Sequence, residues 1–294
     1  MELGELIKLN RKEMKITQKD LADGICTQAL ISRIENGDII PKQSILDKIG
    51  ERLNLNKEDL TFVKSNTRYR EKIDQLKQTI RKYLTQRDYK TIELILLHNK
   101  SLIDEIKSDN DRAFLAWIEA SLQDKIYNQP DTALSLLNNI QLTNIDDELV
   151  IEILNAIGVI YYRNSDFDRA LNVFRNAVNV IDDKIDFKVQ VKVMLNYALT
   201  LEEKDKDKKA LEVAIRSIQL LIENESLFIL GDLYHTKAHI LRKLGHLEEA
   251  KKNNQLALSL YIIQKNDEFQ TMTQLEIKEL AEELEHAHSF DYMG

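Results

Sequence analysis

The sequence predicts an all-α chain, with a compact N-terminal helical module followed by a repetitive helical array. Three observations carry that expectation. Only 8 Gly and 2 Pro occur among 294 residues, too few turn formers for a many-stranded protein. Apolar residues recur at helical spacing. Alanines recur at 133, 170, 210 and 250 in similar surroundings, PDTALSLL, DFDRALNVF, KDKKALEVA and HLEEAKKNN, which is the mark of stacked supersecondary units. With 43% hydrophobic and 31% charged residues, the chain has enough of each for packed cores under a charged surface, and global disorder is excluded.

The net charge of −8 is unevenly distributed. Residues 1–64 hold 11 basic and 11 acidic side chains, and the remainder holds 30 and 38. An acidic body repels polyanions, so any nucleic acid is expected at the first 64 residues. A lone cysteine, Cys26, excludes an internal disulfide framework and a multi-cysteine zinc site; it reads as a small buried hydrophobe. No apolar stretch is long enough to span a bilayer, and MELGELIKLN has no secretion signal. A cytoplasmic chain without membrane contact is expected.

Leu3, Leu6, Ile7 and Met14 give an amphipathic first helix, with Lys8, Arg11 and Lys12 on its other side. Thr17 is placed to cap a short second helix, with Asp20 near its positive end, and Gly24 ends it. Thr27 caps a third helix from Gln28 to Asn36, whose Leu30, Ile31 and Ile34 pack inward. Asn36-Gly37 closes it, Pro41 breaks the chain, and Ile45, Leu46, Ile49 and Leu53 mark a fourth. Two short helices joined by a tight turn and braced by others make a helix-turn-helix.

The run T-Q-K-D-L-A-D-G-I-C-T-Q-A-L-I-S-R-I-E-N-G resembles the phage-repressor-type (Cro/C1, or XRE) DNA-binding family over residues 3–62. That resemblance implies that the helix from Gln28 enters the major groove, with Gln28, Ala29, Ser32 and Arg33 at base edges and Thr27 at its start. Gln pairs with adenine, Arg with guanine, and Ala suits a thymine methyl. Thr17, Gln18, Lys19 and Lys42 are then expected on phosphates. Glu35 reads as a structural group bonded to another helix.

In the array, Gly158, Tyr161, Phe167, Ala170, Phe174 and Ala177 match the tetratricopeptide (TPR) pattern, in which small residues allow close helix crossing and aromatics fill the gaps. The spacing of 40 exceeds the usual ~34 of that repeat. Asp88-Tyr89-Lys90-Thr91-Ile92 aligns with Asp166 to Ala170 as a degenerate first copy. The expected organisation is a helix-turn-helix domain at 1–64 and a connecting helix at 65–84 that also opens the first repeat. Five TPR-like pairs follow over 68–265 (about 68–107, 110–141, 146–183, 186–224 and 226–265), with a capping helix at 267–287. The resemblance implies a right-handed superhelix whose concave face is lined by the first helix of each pair.

A helix-turn-helix followed by such pairs is similar to the peptide-pheromone regulators of Gram-positive bacteria, the Rgg, NprR, PlcR and PrgX group, and most to its PlcR-like branch. The residues concerned are L-N-A-I-G-V-I-Y at 154–161, M-L-N-Y-A-L at 194–199 and L-Y-H-T-K-A-H-I-L-R-K-L-G at 233–245. That likeness implies a short signalling peptide in the concave groove, clamped through its backbone by Asn155 and Asn196. Those two stand 41 residues apart in a 40-residue repeat, so both face one groove. An amide offers the donors and acceptor an extended backbone needs, and leaving such groups buried and unpaired costs ~1–3 kcal/mol each. Equally, one asparagine could simply bond across to its neighbouring repeat. Glu152, Tyr162, Lys192 and His235 occupy helix positions that could face the same groove and select the peptide.

His235 and His239 stand at i, i+4, a chelating spacing, yet Lys237 intervenes and no H-E-x-x-H occurs. His286 and His288 fall near a fraying end. No metal, cofactor or catalytic constellation is expected, and the chain does not read as an enzyme. The function read from the sequence is a homodimeric, peptide-switched transcription regulator in quorum sensing, acting on double-stranded DNA with two half-sites about 34 Å apart or a multiple of it. Two alternatives stay open: an array that binds a protein partner, and a constitutive phage or mobile-element repressor without a peptide.

Overall fold

The computed structural model describes residues 3–291, except for the side chains of residues 57–59, 61, 62, 64 and 287–291; His288 therefore lies outside the described side chains. Among the described residues the regular structure is entirely helical, as the composition predicts. Two compact units are present, Met1–Asp104 and Glu105–Gly294.

The first unit holds α1 (Leu3–Glu13), α2 (Gln18–Ala22), α3 (Gln28–Glu35), α4 (Gln43–Arg52), α5 (Lys57–Thr85), α6 (Tyr89–His98) and α7 (Lys100–Asp104). Leu3, Ile7, Leu21, Ile31, Ile34, Leu46, Ile49, Leu53 and Leu60 form one buried core under α1–α5. Gly4 lets α1 approach α3, because a Cβ there would collide with the Ile34 carbonyl oxygen. Met14 departs from the expected pattern: α1 stops at Glu13, Lys15 takes a left-handed φ of 56°, and Met14 is exposed. Nothing between residues 57 and 85 breaks a helix, so α5 runs through residue 64 without interruption. Its Leu60 joins the N-terminal core, and Ile73, Leu76 and Ile80 are buried further along.

The second unit stacks α8 (Asp109–Lys125), α9 (Pro130–Asn138), α10 (Asp147–Arg163), α11 (Phe167–Val180), α12 (Phe187–Glu203), α13 (Asp207–Glu223), α14 (Leu230–Lys243), α15 (Leu247–Ile263) and α16 (Asp267–Asp291). Consecutive helices pair, and α8, α10 and α12 each also touch the next of their series. The periodic Ala133, Ala170, Ala210 and Ala250 are all fully buried, where a larger side chain would push paired helices apart. Gly158 of α10 meets the Phe174 ring of α11: a Cβ would lie 2.6 Å from it.

The turns repeat as strictly as the alanines. Asn128, Ser165, Asp205 and Gly245 all have left-handed φ, between 53° and 82°, and each directly precedes the N-cap of the next helix, Gln129, Asp166, Lys206 and His246. Arg87 and the N-cap Asp88 do the same in the first unit. Asp88 accepts from Thr91 N at 3.1 Å, as Asp166 accepts from Arg169 N at 3.1 Å. Only one of these five left-handed residues is glycine, so glycine content does not report the turns.

Candidate functional site

In the N-terminal module, capping and ion pairing fix α3. Thr17 and Asp20 form a capping box at α2: Asp20 N donates to Thr17 Oγ1 at 3.1 Å and Thr17 N to Asp20 Oδ2 at 2.8 Å. These bonds hold the Asp20 carboxyl below the usual carboxylate range. Thr27 caps α3 by accepting from Leu30 N at 3.2 Å. Arg52 of α4 closes the other end of α2 by donating to the carbonyls of Asp20, Leu21 and Asp23.

The Glu35 side chain is fully buried. It accepts from Arg11 Nε at 2.5 Å, Arg11 Nη2 at 2.8 Å and Gln18 Nε2 at 2.9 Å, which ties α1, α2 and α3 together. Burial alone would raise its pKa; the Arg11 and Gln18 hydrogen bonds outweigh burial and lower it. Glu35 is thus bonded to other helices, as its position suggests.

With α3 braced from behind, Gln28, Ala29 and Arg33 are exposed, and Ser32 is half-buried. Lys19 and Lys42 are exposed, as are Thr17 and Thr27, whose hydroxyls serve as caps. Gln18 is half-buried and committed to Glu35 through one amide hydrogen, which leaves its second N–H and its oxygen. Cys26 is partly buried, and burial pushes its thiol pKa up, so it is a poor nucleophile.

In the second unit, polar groups bridge α8, α10, α12, α14 and α16 in turn at separations of 36 to 41 residues. Asp146 N donates to Asn110 Oδ1 at 2.9 Å, and Arg163 Nη1 to Asp124 Oδ2 at 2.6 Å. Asn196 Nδ2 donates to Asn155 Oδ1 at 2.8 Å, and Tyr162 Oη to Glu203 Oε1 at 3.2 Å. His239 Nδ1 lies 3.3 Å from Glu202 Oε1, and His235 Nε2 lies 2.9 Å from Glu276 Oε2.

The two asparagines therefore meet, each half-buried, and they bond to one another. The bond uses one hydrogen of Asn196 and one lone pair of Asn155 and does not engage the Asn155 N–H groups or the Asn196 side-chain oxygen. Glu152 is half-buried three residues before Asn155, and Lys192 is exposed four before Asn196. Burial, and then the Glu203 charge, push the Tyr162 hydroxyl pKa up to about 12, so it stays a neutral donor. His235 is half-buried, with its Nε2 on Glu276, which also accepts from Asn254 Nδ2 at 3.1 Å. The i, i+4 histidines thus turn to carboxylates on different helices. Among the described residues no group of three or more His, Cys, Asp or Glu is arranged to hold a metal ion. None of their helices is long and apolar enough to cross a membrane.

Residues 7–60 match the helix-turn-helix domain, and residues 77–280 match the RNPP family C-terminal domain. The chain belongs to the RNPP family. This membership makes it a transcription regulator and not an enzyme. The RNPP chain is similar to PlcR of Bacillus thuringiensis in its complex with the peptide PapR7 and DNA: 25% identity, TM-score 0.62, covering 92% of this chain and 98% of that one. It shares the fold of apo PlcR from the same organism at 23% identity and TM-score 0.64, covering 93% and 99%. No curated protein matches it.

The functional partners that spacing did not reveal are Arg11, Arg52, Glu202, Glu203 and Glu276. Each acts on a residue at least 24 positions away, and only the repeat register, once known, could have suggested the glutamates.

Proposed function

We propose that this RNPP protein is a quorum-sensing transcription regulator, in which the second unit binds a short signalling peptide and the first reads an operator. Carrying the proposal is the meeting of Asn155 and Asn196 on facing turns of α10 and α12, in a chain whose α3 presents Gln28, Ala29 and Arg33 outward. PlcR, similar over 92% of this chain, is known with both a peptide and DNA. Thr17, Gln18, Lys19, Thr27 and Lys42 hold phosphates, and Gln28, Ala29, Ser32 and Arg33 read base edges. Asn155 and Asn196 take the peptide backbone, and Glu152, Tyr162, Lys192 and His235 face its side chains or ends.

Residues 1–64 act as the reader, 65–84 as the connection, 68–265 as the peptide-binding and dimerising array and 267–287 as its cap. One helix-turn-helix reads too short a site for useful specificity, so the protein works as a homodimer on two half-sites. It works in the cytoplasm, where its operator is. The peptide must bind one arrangement of the readers more tightly than the other, because equal affinity shifts nothing.

The test is a gel-shift titration of the full chain on operator fragments selected from genomic DNA. Short synthetic peptides encoded by small reading frames beside the gene are added at each step. A peptide-dependent change in affinity or in footprint length supports the proposal. Sequence-specific binding indifferent to every such peptide leaves a constitutive repressor, and calorimetric binding of a folded protein partner instead leaves a scaffold.

A further inference from the structure

The array's last three first-position helices meet through two histidines that the peptide-reading proposal does not require as a pair. His239 and His235, one turn apart on α14 with ring centroids 5.7 Å apart, point to opposite neighbours. His239 reaches back to Glu202 of α12, and His235 reaches forward to Glu276 of α16. Both carboxylates are largely buried, at 12% and 15% side-chain exposure. His235 is buried to a similar degree, whereas His239 is half exposed, so water partly screens the Glu202 bridge and the Glu276 bridge lies in the drier junction.

Several other charged groups around α14 are matched, and Lys237 lies between the two histidines in sequence. Arg242 pairs with Glu279 and Glu283 of α16, and Lys243 with Asp205 and Asp207 on the α13 side. Asp232 accepts from the Tyr261 hydroxyl of α15 at 3.0 Å, and Asn254 of α15 donates to Glu276. His239 is the group here whose charge changes near neutral pH.

The geometry points to a proton-operated brace: protonation of His239 tightens its bridge to Glu202 and draws α14 to α12, His235 holds α14 to α16 through Glu276, and deprotonation of His239 loosens the C-terminal turn of the array. The Glu202 hydrogen bond raises the His239 pKa above the ordinary imidazole value of 6.5, against burial, which lowers it. Burial would raise the Glu276 pKa, but the bond from His235 outweighs it and the net shift is downward. The His239 contribution is full below pH 6.5 and fades as pH rises through its raised pKa; that of Glu276 is lost only below the carboxylate range. The brace is thus strongest in mildly acid solution and slackens on the alkaline side of neutrality.

The inference does not rest on the peptide reading, and its test needs no peptide. Nitroxide labels at Lys206→Cys and Lys278→Cys, both exposed sites, in a Cys26→Ser background of the full chain, report the separation of the α12–α13 turn from α16 at pH 6 and pH 8. The expected result is a longer, broader distribution at pH 8, abolished by Glu202→Gln with Glu276→Gln. An imidazole proton titration of the unsubstituted chain should place His239 above 6.5, and its melting temperature should fall by about 2 °C more between pH 6 and pH 8 than that of His239→Gln. Superimposable distance distributions at the two pH values overturn the brace, as does a His239 titrating at or below 6.5. The imidazole titration decides even if the carboxamide variant does not fold.

Discussion

Asn196 Nδ2 donates to Asn155 Oδ1 at 2.8 Å, joining α10 to α12 across 41 residues of chain. The two amides stand one position out of register in successive repeats of 40 residues and still meet, forming a pair with one donor side and one acceptor side open. The proposed peptide backbone would engage that pair without first breaking it. Replacing Asn155 by Ala removes the acceptor for Asn196 and should cost about 1 kcal/mol of stability, measured by urea unfolding of the full chain. Peptide response should be lost in the same variant, while DNA binding in the absence of peptide is kept.

The Arg11–Glu35 pair gives a second, independent prediction. Glu35→Ala leaves Arg11, 11% exposed, beside an empty buried site, and should destabilise the N-terminal module by about 3–5 kcal/mol. The Glu35 pKa is lowered, so its contribution is present above the ordinary glutamate value of 4.5 and lost as pH falls through the lowered one. Acid unfolding followed by circular dichroism should show this loss in the unsubstituted chain and not in Glu35→Gln. Coinciding acid limbs would contradict the assignment.

Reading and anchoring separate by substitution. Arg33→Ala should cost about 1–3 kcal/mol on the preferred operator and relax the choice at one base. Lys42→Ala should weaken all sequences alike and lower the slope of log affinity against log salt by about 1. Footprints and affinities over a salt series distinguish the two.

Gly158→Ala tests the packing that sets the repeat. With the added methyl 2.6 Å from the Phe174 ring, α10 and α11 must move apart, at a cost of about 1–3 kcal/mol. A lower urea midpoint at unchanged slope is the expected result.

The repeat was legible because its alanines are buried by necessity, and each of the four at 133, 170, 210 and 250 is inaccessible to solvent. The cap Thr17, the turn at Gly24 and the closing Gly37 were legible because local chemistry dictates them. Ser165 and Arg87 in left-handed turns were not, since tertiary packing and not residue preference imposes that backbone. The uninterrupted α5 hid for the opposite reason: both its Leu60 end and its Ile73–Ile80 end satisfy a helix pattern, and no residue marks where the reader stops. Between α10 and α12, spacing brought Asn155 and Asn196 together and left open the bond across repeats that they make, whereas the glutamate partners of Tyr162, His235 and His239 depend on which helix neighbours which.

The most direct measurement is calorimetric titration of the full chain, and of its Asn155→Ala, Asn196→Ala double variant, with the synthetic peptide that alters operator binding. The account predicts saturable binding to the unsubstituted chain and loss of at least tenfold in affinity, about 1.4 kcal/mol, in a double variant that still binds operator. Equal affinity for both chains would contradict it.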